Sequence, residues 1–123
     1  MALSAREERR RRRSDDTLTA LTLWLEGARR RGELDCLALC DETGCLIAGA
    51  GVHRQCEELA ALGAVRAADP GTDADVRVAP VDLRGVRALI CADAGARRES
   101  AHMLSAIAAG CRRILLQPRF ATA

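Results

Sequence analysis

Of the 19 basic residues in this chain of 123, none is a lysine; there is no tyrosine, and the aromatic complement is Trp24 and Phe120 alone. Without lysine, neither a Schiff-base mechanism nor a Walker-type phosphate loop is available, and Gly44, Gly49 and Gly51 match neither Gly-x-Gly-x-x-Gly nor Gly-x-x-x-x-Gly-Lys. Without stacking aromatics there is no platform for single-stranded nucleic acid. The longest weakly polar run, Cys45 to Val52, is far short of the roughly 20 residues that span a bilayer. No apolar stretch follows Met1-Ala-Leu-Ser, so a secretory signal is not expected and the chain reads as cytoplasmic. There is no Cys-x-x-Cys pair, and in a reducing compartment the six cysteines are expected to stay as thiols.

What is present is small. Alanine supplies 24 residues, a usage that fits a GC-rich bacterial genome, and apolar residues make up 49%, enough for one compact core. Net charge is +2, unevenly placed. Residues 1–13 hold six Arg against Glu7 and Glu8, which leaves 14–123 with 13 Arg and 15 acids. A mildly acidic domain over 14–117 is therefore expected, with a basic, disordered or frayed helical arm at 1–13 and a tail at 118–123. Arg9, Arg10, Arg11, Arg12 and Arg13 are candidates for a weak, salt-sensitive polyanion contact.

Ser14, Asp15 and Asp16 suit the start of a helix running from about Asp16 to Arg31, with Leu18, Leu21, Trp24, Leu25 and Ala28 on one stripe and Gly32 as the stop. Two apolar runs, Cys36–Cys40 and Cys45–Ala50, flank an Asp41-Glu-Thr-Gly44 turn and predict a hairpin placed centrally in its sheet. Helical spacing covers about His53 to Ala68, and Gly63 costs that helix roughly 1 kcal/mol relative to Ala. After a loop at 69–75, strands are expected at 76–83 and 86–93, the first at an edge or broken at Pro80. A last helix over 96–116, with Leu104, Ile107, Ala108, Cys111 and Leu115 inward, ends at Pro118. The order α-ββ-α-ββ-α is an α+β domain, an antiparallel sheet of two hairpins with helices on both faces.

For chemistry, Cys36, Cys40 and Cys45 are expected to pack as small hydrophobes; the alternative is a metal or redox centre, for which they form the best cluster, Cys40 and Cys45 facing each other across the hairpin. His53 belongs to a helix entrance and His102 to a solvated or half-buried helix position, with no nucleophile context beside either. No catalytic residue and no cofactor is expected.

The segment Leu37-Ala-Leu-Cys-Asp-Glu-Thr-Gly-Cys-Leu-Ile-Ala48 resembles the first hairpin of Roadblock / dynein light-chain domains, and Glu57–Ala64 and Arg87–Asp93 resemble the segments that follow it. Where that family has three strands after the second helix, this sequence places two. The resemblance implies a non-enzymatic homodimerisation module that binds a small Ras-like GTPase and acts on the GTPase's own catalytic loops. It also implies a dimer built on second helices and third strands, for which the small face Cys56, Ala60, Gly63, Ala64 and Ala67 is the candidate interface. A GAF-like sensor with a small-molecule pocket between sheet and helices is the alternative within the same hairpin pattern.

Overall fold

A computed structural model describes residues 4–71, 75–93 and 100–117, without the side chains of 10–14, 100 and 101. Helix α1 spans Ala5–Gly32 and is followed by strands β1 (Leu37–Asp41) and β2 (Leu46–Ala50), helix α2 (His53–Ala68), strands β3 (Val76–Leu83) and β4 (Val86–Asp93), and helix α3 (Ser100–Leu116). The four strands form one antiparallel sheet in the order β2-β1-β4-β3. Helices α1 and α3 cover one face of it and α2 the other. The three-layer α+β architecture read from the sequence is the one the chain adopts. No helix among the described residues is long and apolar enough to cross a membrane.

The larger core lies between the sheet and the α1/α3 pair. Leu21, Leu25 and Ala28 meet Leu104, Ile107, Ala108 and Cys111 over Leu37, Leu39 and Ile90. With so few aromatics the helices approach closely, and Trp24 is the one large side chain that must be fitted between them. Its indole N–H donates to the Ile107 carbonyl at 3.1 Å, and its ring lies where a Cβ on Gly110 would come within 2.2 Å. Glycine in mid-helix, normally a cost, is what admits the ring here.

Several elements depart from the sequence reading. The first helix starts at Ala5 rather than near Asp16, because Ser4 caps it by accepting from the Glu7 amide at 3.2 Å, while Glu7 and Glu8 sit favourably in its first turn. Residues 5–13 are thus helical, the frayed-helix alternative of the two expected for this arm; Arg and Glu are good helix formers, and an exposed helix spreads its charges into water. The helix passes through Ser14. Leu18 falls outside the stripe, 46% exposed. The left-handed cap is Glu33, with φ 52°, rather than Gly32. The first hairpin is not central as a unit: β1 is buried on both faces, but β2 is an edge strand with Ile47 exposed. Strand β3 forms the other edge and runs unbroken through Pro80, as edge strands permit. Residues 96–99, Pro118 and the expected tail lie outside the described residues.

The Asp41 turn forms as read. Its carboxylate accepts from the Thr43 hydroxyl at 2.6 Å, the Thr43 amide at 2.9 Å and the Cys45 amide at 3.0 Å. The Thr43 hydroxyl first, then the Cys45 amide, holds the Asp41 pKa below its ordinary value. A lowered folded-state pKa gives stability that is present above the unfolded pKa and lost as pH falls through the folded one. Asp41→Asn is therefore expected to flatten the acid limb of the stability profile below about pH 4, as read by urea denaturation across pH. Gly110→Ala is expected to cost about 1–3 kcal/mol by overpacking and to shift the Trp24 fluorescence, whereas unchanged stability and emission would show that the ring has room.

Candidate functional site

The small face of α2 is occupied within the chain. Cys56, Leu59 and Ala60 pack with Ala38, Cys40, Leu89 and Cys91 in a second core, Gly63 and Ala64 are buried, and Ala67 packs partly against the same cluster. The reason is the sheet beneath. A Cβ at Gly63 would lie 2.1 Å from the Cys91 Sγ and 3.1 Å from its Cβ, so α2 settles onto β4 only where the helix has no side chain. The five residues expected to meet a partner copy therefore meet the chain's own sheet, and the face that α2 turns to solvent carries Leu62 and Val65, 49% and 52% exposed.

The cysteines also sort differently from the expected cluster. The register of the first hairpin shifts between Leu39 and Cys40, which pairs Cys40 with Leu46 and leaves Cys45 exposed in the turn, 3.4 Å from the Thr43 hydroxyl. Cys36 and Cys40 do share a face, where they join Cys56 and Cys91 rather than Cys45. The Cys40 and Cys91 sulfurs are 3.8 Å apart, and the Cys56 thiol donates to the Ala50 carbonyl at 3.3 Å. Burial, then the neighbouring Cys56, pushes Cys36 up to about 11, and burial raises Cys56 and brings Cys111 to about 12. Cys91 is raised by its contact with Cys40 and then by burial. Metal ligation and nucleophilic attack need the thiolate, which is disfavoured at Cys36, Cys56, Cys91 and Cys111, while the contact with Cys91 lowers the Cys40 pKa. No group of three or more His, Cys, Asp or Glu among the described residues is placed to hold a metal ion.

The histidines are apart and exposed. His53 opens α2 with its Nε2 3.1 Å from Glu57 Oε1, and His102 lies on the surface of α3. Arg9 is exposed on α1; the side chains of Arg10 to Arg13 lie outside the described residues. The spaces between sheet and helices are filled by the two apolar clusters.

What the surface does present is the open edge of β3. Two separate grooves adjoin it: one, at the start of β3, is lined by Asp35, Glu58, Asp75 and Asp93 with Leu62, and the other by Arg66, Arg77 and Arg87. None of these residues stands out in the sequence as a site. Arg77 between Val76 and Val78 was legible as the outward position of a strand, but the approach of Arg66 from α2 and Arg87 from β4 is tertiary.

No family model and no curated protein matches this sequence. Among solved structures the chain is similar to Myxococcus xanthus MglB, with a TM-score of 0.50 and 11% identity over 80% of this chain and 89% of that one. The fold is Roadblock-like. Among the described residues the sheet ends at β3, which leaves that strand unpaired on its outer side.

Five of the six thiols are buried. A thiol reagent is accordingly expected to label one cysteine, Cys45, rapidly in the native protein and all six only after unfolding. Rapid labelling of a second site, or metal retained on purification, would contradict the packing role.

Proposed function

We propose that the chain is a cytoplasmic, non-enzymatic homodimerisation and scaffold module that binds and regulates a small Ras-like GTPase. The Roadblock resemblance carried by the Asp41 hairpin and the fold shared with MglB support the GTPase part of this reading. The observation that carries the dimer is the outer side of β3, unpaired among the described residues. An edge strand offers unpaired backbone groups to another strand, and a two-fold axis would set the acidic end of one copy against the basic end of the other. Asp75, Asp93 and Glu58 would then face Arg66 and Arg87 twice over, with the exposed Leu62 and Val65 of the two α2 helices meeting above the joined sheet. This interface replaces the one expected from the small face of α2. The Arg9–Arg13 turn is an accessory polyanion contact, tested by removing residues 1–13.

Sedimentation at micromolar concentration is expected to give a dimer that weakens with added salt, since the ion pairs at its rim are screened. Leu62→Asp and Val65→Asp should each weaken it by about tenfold or more, ~1.4 kcal/mol, without loss of the folded monomer. Co-elution with a candidate GTPase should depend on the nucleotide that the GTPase carries. A chain that is monomeric throughout and indifferent to every GTPase tested overturns the reading.

A further inference from the structure

Strand β2 ends the sheet opposite β3, and no strand among the described residues pairs with its outer side. Edge strands in native proteins are normally blunted by charge or proline. Strand β3 has both, in Arg77, Asp82 and Pro80, whereas Leu46-Ile-Ala-Gly-Ala50 has neither. From Leu39 to Cys40 the register moves one residue along β1 but two along β2, so Ile47 is the extra residue of a bulge. Edge bulges commonly re-aim a side chain, and Ile47 stands exposed. Beyond it, Ala48 to Ala50 pair regularly with β1 and keep their other side open.

A groove of about 630 Å³ wraps this edge. Its floor is Gly44 to Gly49, one wall is Leu18 and Thr22 of α1, and the other is His53 and Glu57 of α2. Because α1 and α2 cover opposite faces of the sheet, so do the two walls. A compact ligand cannot reach both, but an added strand does so by construction, since its side chains alternate between the faces. Extended peptides pair with open edges in this way, the backbone supplying affinity and the flanking pockets specificity.

The walls differ in chemistry. On the α1 face an added strand would lie beside exposed Leu18 and the apolar row of Ala48 and Ala50. On the α2 face it would meet the Glu57 carboxylate, exposed and 3.1 Å from His53, and no arginine among the described residues lines the groove to oppose a cation. A second copy joined edge to edge through β2 brings the same uncharged strand and no arginine to Glu57. We propose that this groove takes an extended segment of a partner protein as an additional strand on β2, with apolar side chains on the α1 face against Leu18 and basic side chains on the α2 face against Glu57. The site uses none of the residues of the β3 dimer and does not rest on that reading.

The test is fluorescence anisotropy of the full chain with three labelled synthetic peptides. They are Ser-Val-Arg-Val-Arg-Val-Ser, its charge-reversed twin Ser-Val-Glu-Val-Glu-Val-Ser, and Ser-Val-Arg-Pro-Arg-Val-Ser, whose central residue cannot donate to a ladder. The first is expected to bind saturably, about tenfold or more tighter than either of the others. Glu57→Arg should reverse the preference between the basic and acidic peptides. Ile47→Lys and Leu18→Asp should each weaken the basic peptide by about tenfold. All three positions are exposed, and circular dichroism checks each variant, so loss of one to misfolding leaves the other two to decide. Equal affinity for the basic and acidic peptides, a preference that Glu57→Arg leaves unmoved, or no saturable binding of any peptide overturns the site. Sedimentation of Ile47→Lys addresses the other occupant: self-association should equal that of the wild-type chain, and its loss would assign the groove to a second copy and overturn the proposal. A chain that is monomeric throughout yet binds the basic peptide keeps this site and loses the dimer at β3.

Discussion

The contact on which the arrangement turns is the approach of α2 to the sheet at Gly63 and Cys91. Any side chain at Gly63 would occupy the space of the Cys91 sulfur. Because it is absent, the helix lies directly on β1 and β4, and Cys56, Ala60 and Ala64 fill the remaining gap with little bulk. A chain nearly free of aromatics builds its core in this way, from close approach rather than from large side chains. The same device recurs on the other face, where Gly110 makes room for the Trp24 ring.

The position of α2 decides what the outer surface can do. With its small face spent on the sheet, the helix presents Leu62 and Val65 outward, its first half contributes Glu58 to the acidic end of the β3 edge and its last turn contributes Arg66 to the basic end. The two sheet edges are unlike. Beside β2, Leu18 and Ile47 are exposed near His53 and Glu57, whereas β3 has Asp75 and Arg77 at one end and Asp82 opposite Arg87 at the other. Charge of both signs along one edge favours a partner in one register and orientation, which is the kind of selectivity that electrostatic complementarity supplies.

Local signals in the sequence were accurate where the determinants are local. The Asp41 turn needs only an acceptor at its first position and nearby donors, and both strands and both later helices follow from their apolar periods. The misreadings come from tertiary causes. A stripe of small residues on a helix has the same pattern whether it packs on a sheet or on another copy, and the decisive neighbour, Cys91, is 28 positions from Gly63. A bulge at Leu39 and Cys40 turned Cys45 away from the cluster that alternation suggested. The edge position of β2 depends on β4 pairing with β1, which no spacing encodes. The convergence of Arg66, Arg77 and Arg87 arises from three separate elements.

Coupling between Gly63 and Cys91 is the most direct measure of the contact that sets α2 on the sheet. In a double-mutant cycle read by chemical denaturation, Gly63→Ala alone should destabilise by about 1–3 kcal/mol, the range for overpacking. Cys91→Ala removes the opposing sulfur, so Gly63→Ala added to it should cost far less than in the wild-type chain. The pair should therefore be non-additive by about 0.5–3 kcal/mol. Strict additivity of the two substitutions would mean that the residues do not meet, and the placement of α2, with the surface built on it, would be contradicted.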